Sequence, residues 1–435
     1  MGMQRLVRGQ RSRKLRSMSR LSLVGVAALV AAACGSSSST SSSSSVTNPG
    51  VPNISVSSFT PDLSAMHRLT SLTKYATRKS TGLLVGVILP DETSSARWVD
   101  FDQPYLTDAL LDAGFSSSQF NIQNAQGSDP TAINDATADI NSGAKVLIVA
   151  AEDGPTGLSI AALAAAHHVK LIAYDRAIFP PTGTVYVSSF NYFTIGQQIA
   201  KGFESCVTSE GVNNPEVYEQ DGGKNTDPNA ITIADGMDSV LFGKQPTGTN
   251  ELKPGTKGTG SASNYTLVED EYSPGWSTTD AETEFQEAFT AHPNINAVIT
   301  ANDEMNAEVI TDLQADNVKA GTIPTTGQDA TPQAMAYIVE GWQCGTDYRP
   351  IYGEAEGAVV MADALLAGDT IPSSLLNGTL TDPANSAIKE PASMATSEWV
   401  TAPSIESTVV KDGFVSASTI CAEVPAALCT KYGIH

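Results

Sequence analysis

The sequence predicts an α/β protein of two doubly wound lobes, each built on a parallel sheet. Three observations carry that prediction. From Gly82 onward, short β-rich runs alternate with amphipathic segments of helical period. The β-rich runs are apolar almost throughout, as expected of strands covered on both faces. The alternation also occurs in two successive series along a chain of 435 residues, long enough for two cores.

The first series opens with LLVGVIL, followed by a helical stretch with Leu106, Leu110 and Ala113 on one face and Gly114 as the stop. QFNIQNA then precedes a helix carrying Ile133, Ala136 and Ile140, closed by Gly143. KVLIVA, GLSIAALAAAHH and VKLIAY continue the pattern to VYVSSF. The second series runs EVYEQ, a helix over 230–242, YTLVEDEY, a helix over 279–291, and NAVITA. A helix to Asp316, the short strand TIPTT, a helix to Glu340 and QCGTDY complete it. Residues 244–263 carry turn chemistry throughout and are expected to form a surface insertion. Residues 51–81 form a lead segment, with one short helix expected to pack on the first lobe.

The N-terminus belongs to export, not to the fold. Seven basic residues and no acidic one precede the apolar run LSLVGVAALVAAA, which ends in small residues directly before Cys34. That run is shorter than a membrane span and suits a signal h-region. The segment resembles a bacterial lipoprotein signal, although Ala31 stands where such signals usually carry Leu. The resemblance implies that residues 1–33 are removed, that Cys34 is lipidated, and that the chain is exported and anchored to the outer face of the cell membrane. Residues 34–50, rich in Ser, read as a flexible tether. Removal of the leader leaves 18 Lys and Arg against 47 acidic residues, a net charge near −29. Nucleic acid repels such a body.

Five cysteines suit an exported chain. With Cys34 lipidated, four remain and three pairings are open. A local Cys421–Cys429 bridge is the simplest, which leaves Cys206–Cys344; four free buried thiols are the alternative.

Polar and aromatic residues recur where the expected strands end. Ser94-Ser95-Ala96-Arg97-Trp98 follow the first, Glu152-Asp153 the third and Asp175-Arg176 the fourth. In the second series the places are taken by Asp227-Pro228-Asn229, Gly275-Trp276, Asn302-Asp303, Gln328-Asp329 and Arg349. Any one of these acids reads most simply as a helix N-cap, and either indole as core. Together, at the carboxyl edge where open sheets bind ligands, they describe a cleft of Asp, Asn and Arg with two indoles. That set suits a neutral polyol: carboxylates accept, guanidinium donates, the amide does both, and aromatic faces match sugar C–H surfaces. Removal of Asp175 or Trp276 is expected to abolish stabilisation by ligand and to leave the ligand-free melting point nearly unchanged.

The segments SSARW, AYDR, TDPNA, PGW, AND, TGQDA and CGTDYRP, in that order, resemble those of type I periplasmic sugar-binding proteins of bacterial ABC importers. The likeness runs from about Leu83 to the C-terminus and is strongest to the xylose-binding and multiple-monosaccharide-binding branch, in its actinobacterial lipoprotein form. It implies a multi-crossover hinge, with 82–189 and about 349–370 in the N-lobe, and 190–348 and part of 371–400 in the C-lobe. A helix near 352–367 returns to the N-lobe, and 401–435 form a tail with the cysteine pair. Cys206 and Cys344 then both fall at the C-lobe rim, where they could pair. The resemblance implies sugar contacts from Arg97, Trp98, Asp175, Arg176, Asp227, Asn229, Trp276, Asn302, Asp329 and Arg349. This chain departs from the family at Phe190-Asn191-Tyr192, where Phe-Asp-Asn is usual, and at Arg349, where Lys is common.

The implied function is capture of a monosaccharide, a xylose-like pentose or a hexose, and its delivery to an ABC permease by a monomeric receptor without cofactor, metal or catalytic residue. A sugar receptor for a signalling partner is the alternative. Against an enzyme, Glu152-Asp153 and Asp303-Glu304 are adjacent pairs whose carboxylates point apart, and the chain has no P-loop or nucleophile elbow. Against a transcription regulator, a leader and tether stand where a basic helix-turn-helix would be needed.

Overall fold

The computed structural model describes residues 54–70, 81–92, 94–244 and 251–435. The leader, Cys34 and the Ser-rich tether lie outside these residues. All described residues fall in one compact unit, Asn48–His435.

Two sheets organise that unit. The first has seven strands in the order β10-β11-β5-β4-β3-β1-β2. They are β1 Val85–Leu89, β2 Phe120–Asn124, β3 Val146–Val149, β4 Lys170–Tyr174, β5 Tyr186–Phe190, β10 Gly378–Asp382 and β11 Asn385–Ala395. All neighbours are parallel except the β10–β11 hairpin. Alternate residues enter two separate cores. Val85, Val87, Leu89, Ile148, Ile172 and Tyr174 pack beneath helices α1 Ser64–Thr70, α2 Gln103–Asp112 and α10 Ile351–Ala367. Ile88, Leu147, Val149, Leu171 and Ala173 pack beneath α3 Asp129–Asn141 and α4 Gly154–Ala166. Both faces are buried, which is why these strands read as unbroken apolar runs. Each fully buried aliphatic side chain contributes roughly 1.5–3 kcal/mol.

The second sheet pairs β7 Thr266–Tyr272, β6 Glu216–Asp221 and β8 Ala297–Thr300, all parallel. Residues 323–328 continue it without forming a regular strand, a difference from the strand expected at TIPTT. Pro324 has no N–H to give, so the segment bonds piecemeal: Val298 N donates to Pro324 O at 2.9 Å and Cys344 N to Thr325 O at 2.9 Å. Beyond it lie β9 Thr346–Tyr348 and its antiparallel partner β12 Glu398–Val400. Helices α5 Tyr192–Glu210 and α6 Pro228–Leu241 cover one face; α7 Thr278–Ala291 and α8 Asp303–Ala315 cover the other. α9 Pro332–Glu340 meets the C-terminal pair α11 Ala417–Glu423 and α12 Ala426–Tyr432.

The chain passes between the sheets three times: from β5 into α5, from β9 into α10, and from β11 into β12. Disulfides join Cys206 to Cys344 and Cys421 to Cys429. The first ties α5 to the approach of β9, so the bridged ends of the second lobe are held together across 138 residues of chain.

Candidate functional site

The carboxyl ends of both sheets face one hollow of about 310 Å³, part of it open to solvent. Its walls include Arg97, Trp98, Asp175, Arg176, Asn229, Trp276, Asn302, Asp329 and Arg349. Of the ten residues expected to contact sugar, Asp227 alone does not line it, and Glu152, Asp153 and Asp303, also noted at the strand ends, lie outside the lining. Asp227 stands behind the wall: it caps α6 by accepting from Asn229 N at 2.8 Å, receives Trp276 Nε1 at 2.8 Å, and pairs with Arg176 at 3.2 Å. Ser94, Ser95, Tyr192 and Gln328 complete the lining.

Several of these positions are helix caps as well. Asn302 Oδ1 accepts from Met305 N at 3.0 Å, which leaves its amide nitrogen as the end that can serve a ligand. Asp153 caps α4 and Asn191 caps α5 in the same manner. Asp303 is buried beneath the hollow, accepting from Thr331 N at 2.9 Å and Gln343 Nε2 at 2.8 Å.

Three wall residues hold left-handed backbone conformations: Asp175 (φ 59°), Trp276 (φ 57°) and Asp329 (φ 104°). For a bulky aromatic residue this is a costly state, one that persists where surrounding contacts over-determine it. Around Trp276 they do. Its ring lies so close to Gly222 that a Cβ there would sit 1.8 Å from Cζ3. The Gly222-Gly223 pair after β6 is therefore the seat of the indole.

Three guanidiniums thread the walls. Arg97 makes a bidentate pair with Asp102, both bonds 2.7 Å, and reaches Glu354 at 3.1 Å and Asp175 at 3.4 Å. Burial opposes its charge, but Asp102, Asp175 and Glu354 outweigh that and hold its pKa above the ordinary value. Arg176 pairs with Glu152 at 3.3 Å and donates to Ala151 O at 3.1 Å. Arg349 pairs with Asp329 (Nε to Oδ1 3.0 Å), with Asp175 at 3.4 Å, and with the Tyr192 hydroxyl. Burial pushes the Asp175 carboxyl up, yet Arg97, Arg349 and Arg176 prevail and its pKa lies below the ordinary range. Burial raises Glu354.

Sequence reasoning missed the inner ring around these charges. Asp102 and Glu354 fix Arg97, and Tyr192, noted in the sequence only as a departure from the family pattern, bridges Asp175 and Arg349. For Glu354 there was a signal: an acid in the otherwise apolar turn IYGEAEGAVV. None marked Asp102.

The wall also carries polar atoms that the protein does not satisfy. Trp98 Nε1 is a buried donor without an acceptor, Gln328 Oε1 is a buried acceptor without a donor, and Arg97 Nη1 makes no hydrogen bond, holding only its 3.4 Å ion pair with Asp175. Buried polar atoms are nearly always partnered, so an unmet donor and an unmet acceptor in one small hollow describe a recognition surface. The guanidinium of Arg97 lies 4.4 Å and that of Arg176 5.5 Å from the Trp98 ring centre, which fixes the indole plane. Three guanidiniums stand against Asp102, Glu152, Asp175, Asp227, Asp329 and Glu354, so the site has no surplus of positive charge to select an anion.

Comparison with known proteins accords with this geometry. The chain is 26% identical over 292 residues to the multiple sugar-binding periplasmic receptor ChvE of Rhizobium radiobacter, covering 66% of this chain and 78% of that one. It is 28% identical over 301 residues to the D-xylose-binding periplasmic protein of Escherichia coli, covering 69% and 82%. Among solved structures, a carbohydrate transporter solute-binding protein of Chloroflexus aurantiacus in complex with D-glucose superposes with a TM-score of 0.64 at 25% identity, covering 78% of this chain and 98% of that one. Residues 85–370 match the family described as "Periplasmic binding protein domain", and the chain belongs to that family.

Proposed function

We propose that this chain is an extracytoplasmic receptor that captures a neutral monosaccharide, a xylose-like pentose or a hexose, between its lobes and presents it to an ABC permease. Contacts come from Arg97, Trp98, Asp175, Arg176, Asn229, Trp276, Asn302, Asp329 and Arg349, with Asp227 holding Trp276 and Arg176 in place. One observation carries the reading: both sheets send their strand ends to a single hollow whose unmet donor and acceptor match a polyol. The relatives named above for sugar and xylose binding support it. Binding without chemistry follows from the same geometry, because the carboxylates at the hollow are committed to guanidiniums and helix ends. A lipid on Cys34 and the Ser-rich segment would hold a monomeric body at the outer membrane face. Sugar that contacts both lobes favours the arrangement in which they meet, and that arrangement is the one a permease would recognise.

A thermal-shift panel of aldopentoses and aldohexoses tests this reading. Ligand at one hundred times Kd stabilises by about 2.7 kcal/mol, a shift such a panel resolves. The reading requires at least one neutral monosaccharide to produce it. Recovery of that sugar unchanged after long incubation checks the absence of catalysis.

A further inference from the structure

The second lobe carries a group of carboxylates that the hollow does not use. Glu219 and Asp270 are register partners on β6 and β7. Asp221 lies two residues along β6 and so on the same face, and Asp238 belongs to α6, which packs over that face. Their exposures are 1%, 2%, 6% and 8% for Glu219, Asp221, Asp238 and Asp270. Both carboxylate oxygens of Glu219, and one each of Asp221, Asp238 and Asp270, lack any hydrogen-bond partner. Leu252 N donates to the other oxygen of Asp270 at 2.6 Å. Among the described residues no Lys or Arg makes an ion pair with any of the four. The nearest cationic influence is Lys244, an exposed residue beside Asp238.

An isolated buried carboxylate is unfavourable, and four facing one another are more so. Burial pushes all four up: Asp238 to about 8, Asp270 to about 7, and Glu219 and Asp221 well above the ordinary range. Repulsion from neighbouring acids adds to this for Glu219, Asp221 and Asp238, whereas Leu252 N and a side-chain hydrogen bond with Asp221 hold Asp270 back. A fully buried side chain with both oxygens unmet, aimed among three other acids, calls for a cation. The donors are all hard oxygens, without imidazole or thiolate, which points to calcium rather than zinc or copper.

We propose that Glu219, Asp221, Asp238 and Asp270 form a calcium site in the second lobe. The one Cys/Glu trio whose ligand atoms lie within 4.8 Å of one another, Cys206, Glu210 and Cys344, has its sulfurs committed to a disulfide. The four acids instead line the sheet face, so calcium must draw them together. Leu252 ties the segment preceding β7 to Asp270, and that segment tightens with it. Asp221 directly precedes the Gly222-Gly223 seat of Trp276, which links the site to the wall of the hollow. This inference stands apart from the sugar reading and does not depend on it.

The test uses the intact protein stripped with EDTA near neutral pH. Calcium is titrated to about 10 mM, well above the roughly 10⁻⁴–10⁻³ M typical of extracellular calcium modules. Melting temperature and terbium luminescence excited through tyrosine are followed; Tyr272 lies on the same strand face as Asp270. The proposal expects a saturable rise of several degrees in melting temperature and a terbium signal that calcium displaces. The double variant Glu219→Gln/Asp270→Asn should lose both responses. Because it removes repulsion, it should melt no lower than the stripped wild type. A melting temperature indifferent to calcium, with no terbium signal, would mean that protons alone neutralise the cluster and would overturn the proposal. So would a double variant that keeps the full response.

Discussion

Glu304 and Ser95 join the two lobes: Glu304 Oε1, at the start of α8, accepts from Ser95 Oγ at 2.7 Å and from Ala96 N at 3.0 Å, beside the hollow. Asn229 Nδ2 reaches Asp175 at 3.2 Å, and Gly154 N donates to Thr226 O at 3.0 Å, across the same gap. These bonds exist only while the lobes meet, so they bias the equilibrium on which binding depends. Glu304→Ala should weaken sugar affinity about tenfold, the equivalent of one neutral hydrogen bond at the upper end of the usual range. Calorimetric titration checks this. An unchanged Kd would show that the Glu304 contact is absent from the ligand-bound arrangement.

Trp276 calls for a different variant from the one the sequence suggests. The expectation that truncation spares ligand-free stability does not suit a buried indole seated on Gly222 and bonded to Asp227. Trp276→Ala should cost about 3–5 kcal/mol of stability in the absence of sugar. Trp276→Phe keeps an aromatic face, loses the bond to Asp227, and should reduce affinity at least tenfold at a smaller stability cost. Paired denaturant unfolding and calorimetry separate the two effects.

Arg97 is structural and ligand-facing at once. Arg97→Met would strand Asp102 and Glu354 as buried acids without a cation, a change that typically costs about 3–5 kcal/mol. Arg97→Lys should rescue little, because a point charge cannot replace the bidentate pair with Asp102. Urea unfolding of the three proteins is the measurement.

Stability should fall as pH rises. Burial lifts Asp303, Glu304 and Asp347 to about 8. Unfolded, the same groups release their protons near pH 4, so between roughly pH 4 and 8 the folded chain binds more protons. Their stabilising contribution is complete below that window and is lost as pH climbs through about 8. Unfolding free energy in EDTA should therefore be larger near pH 5.5 than near pH 8.5; the reverse order would show that these carboxyls ionise freely in the fold.

Much of this was legible because parallel strands buried on two faces leave no room for polar residues until they end. Asp175, Asn302 and Arg349 stood out for that reason, although capping alone could have placed Asn302. What stayed hidden depended on partners distant in sequence: Glu354 is 257 positions from Arg97. The β10–β11 hairpin left no pattern to read. It lies at the sheet edge, where β10 is exposed or half-buried at every position and the first half of β11 is mostly exposed. Pro324 obscured the opposite case, a segment strand-like in sequence that cannot keep regular pairing.

The most direct test is titration calorimetry of D-xylose and D-glucose into the folded chain and into Arg349→Met, whose melting curve confirms that it folds. The account predicts saturable heat at one site per chain for at least one neutral monosaccharide, weakened at least a hundredfold in the variant. Heat from no neutral monosaccharide, or equal affinity in both proteins, would contradict it.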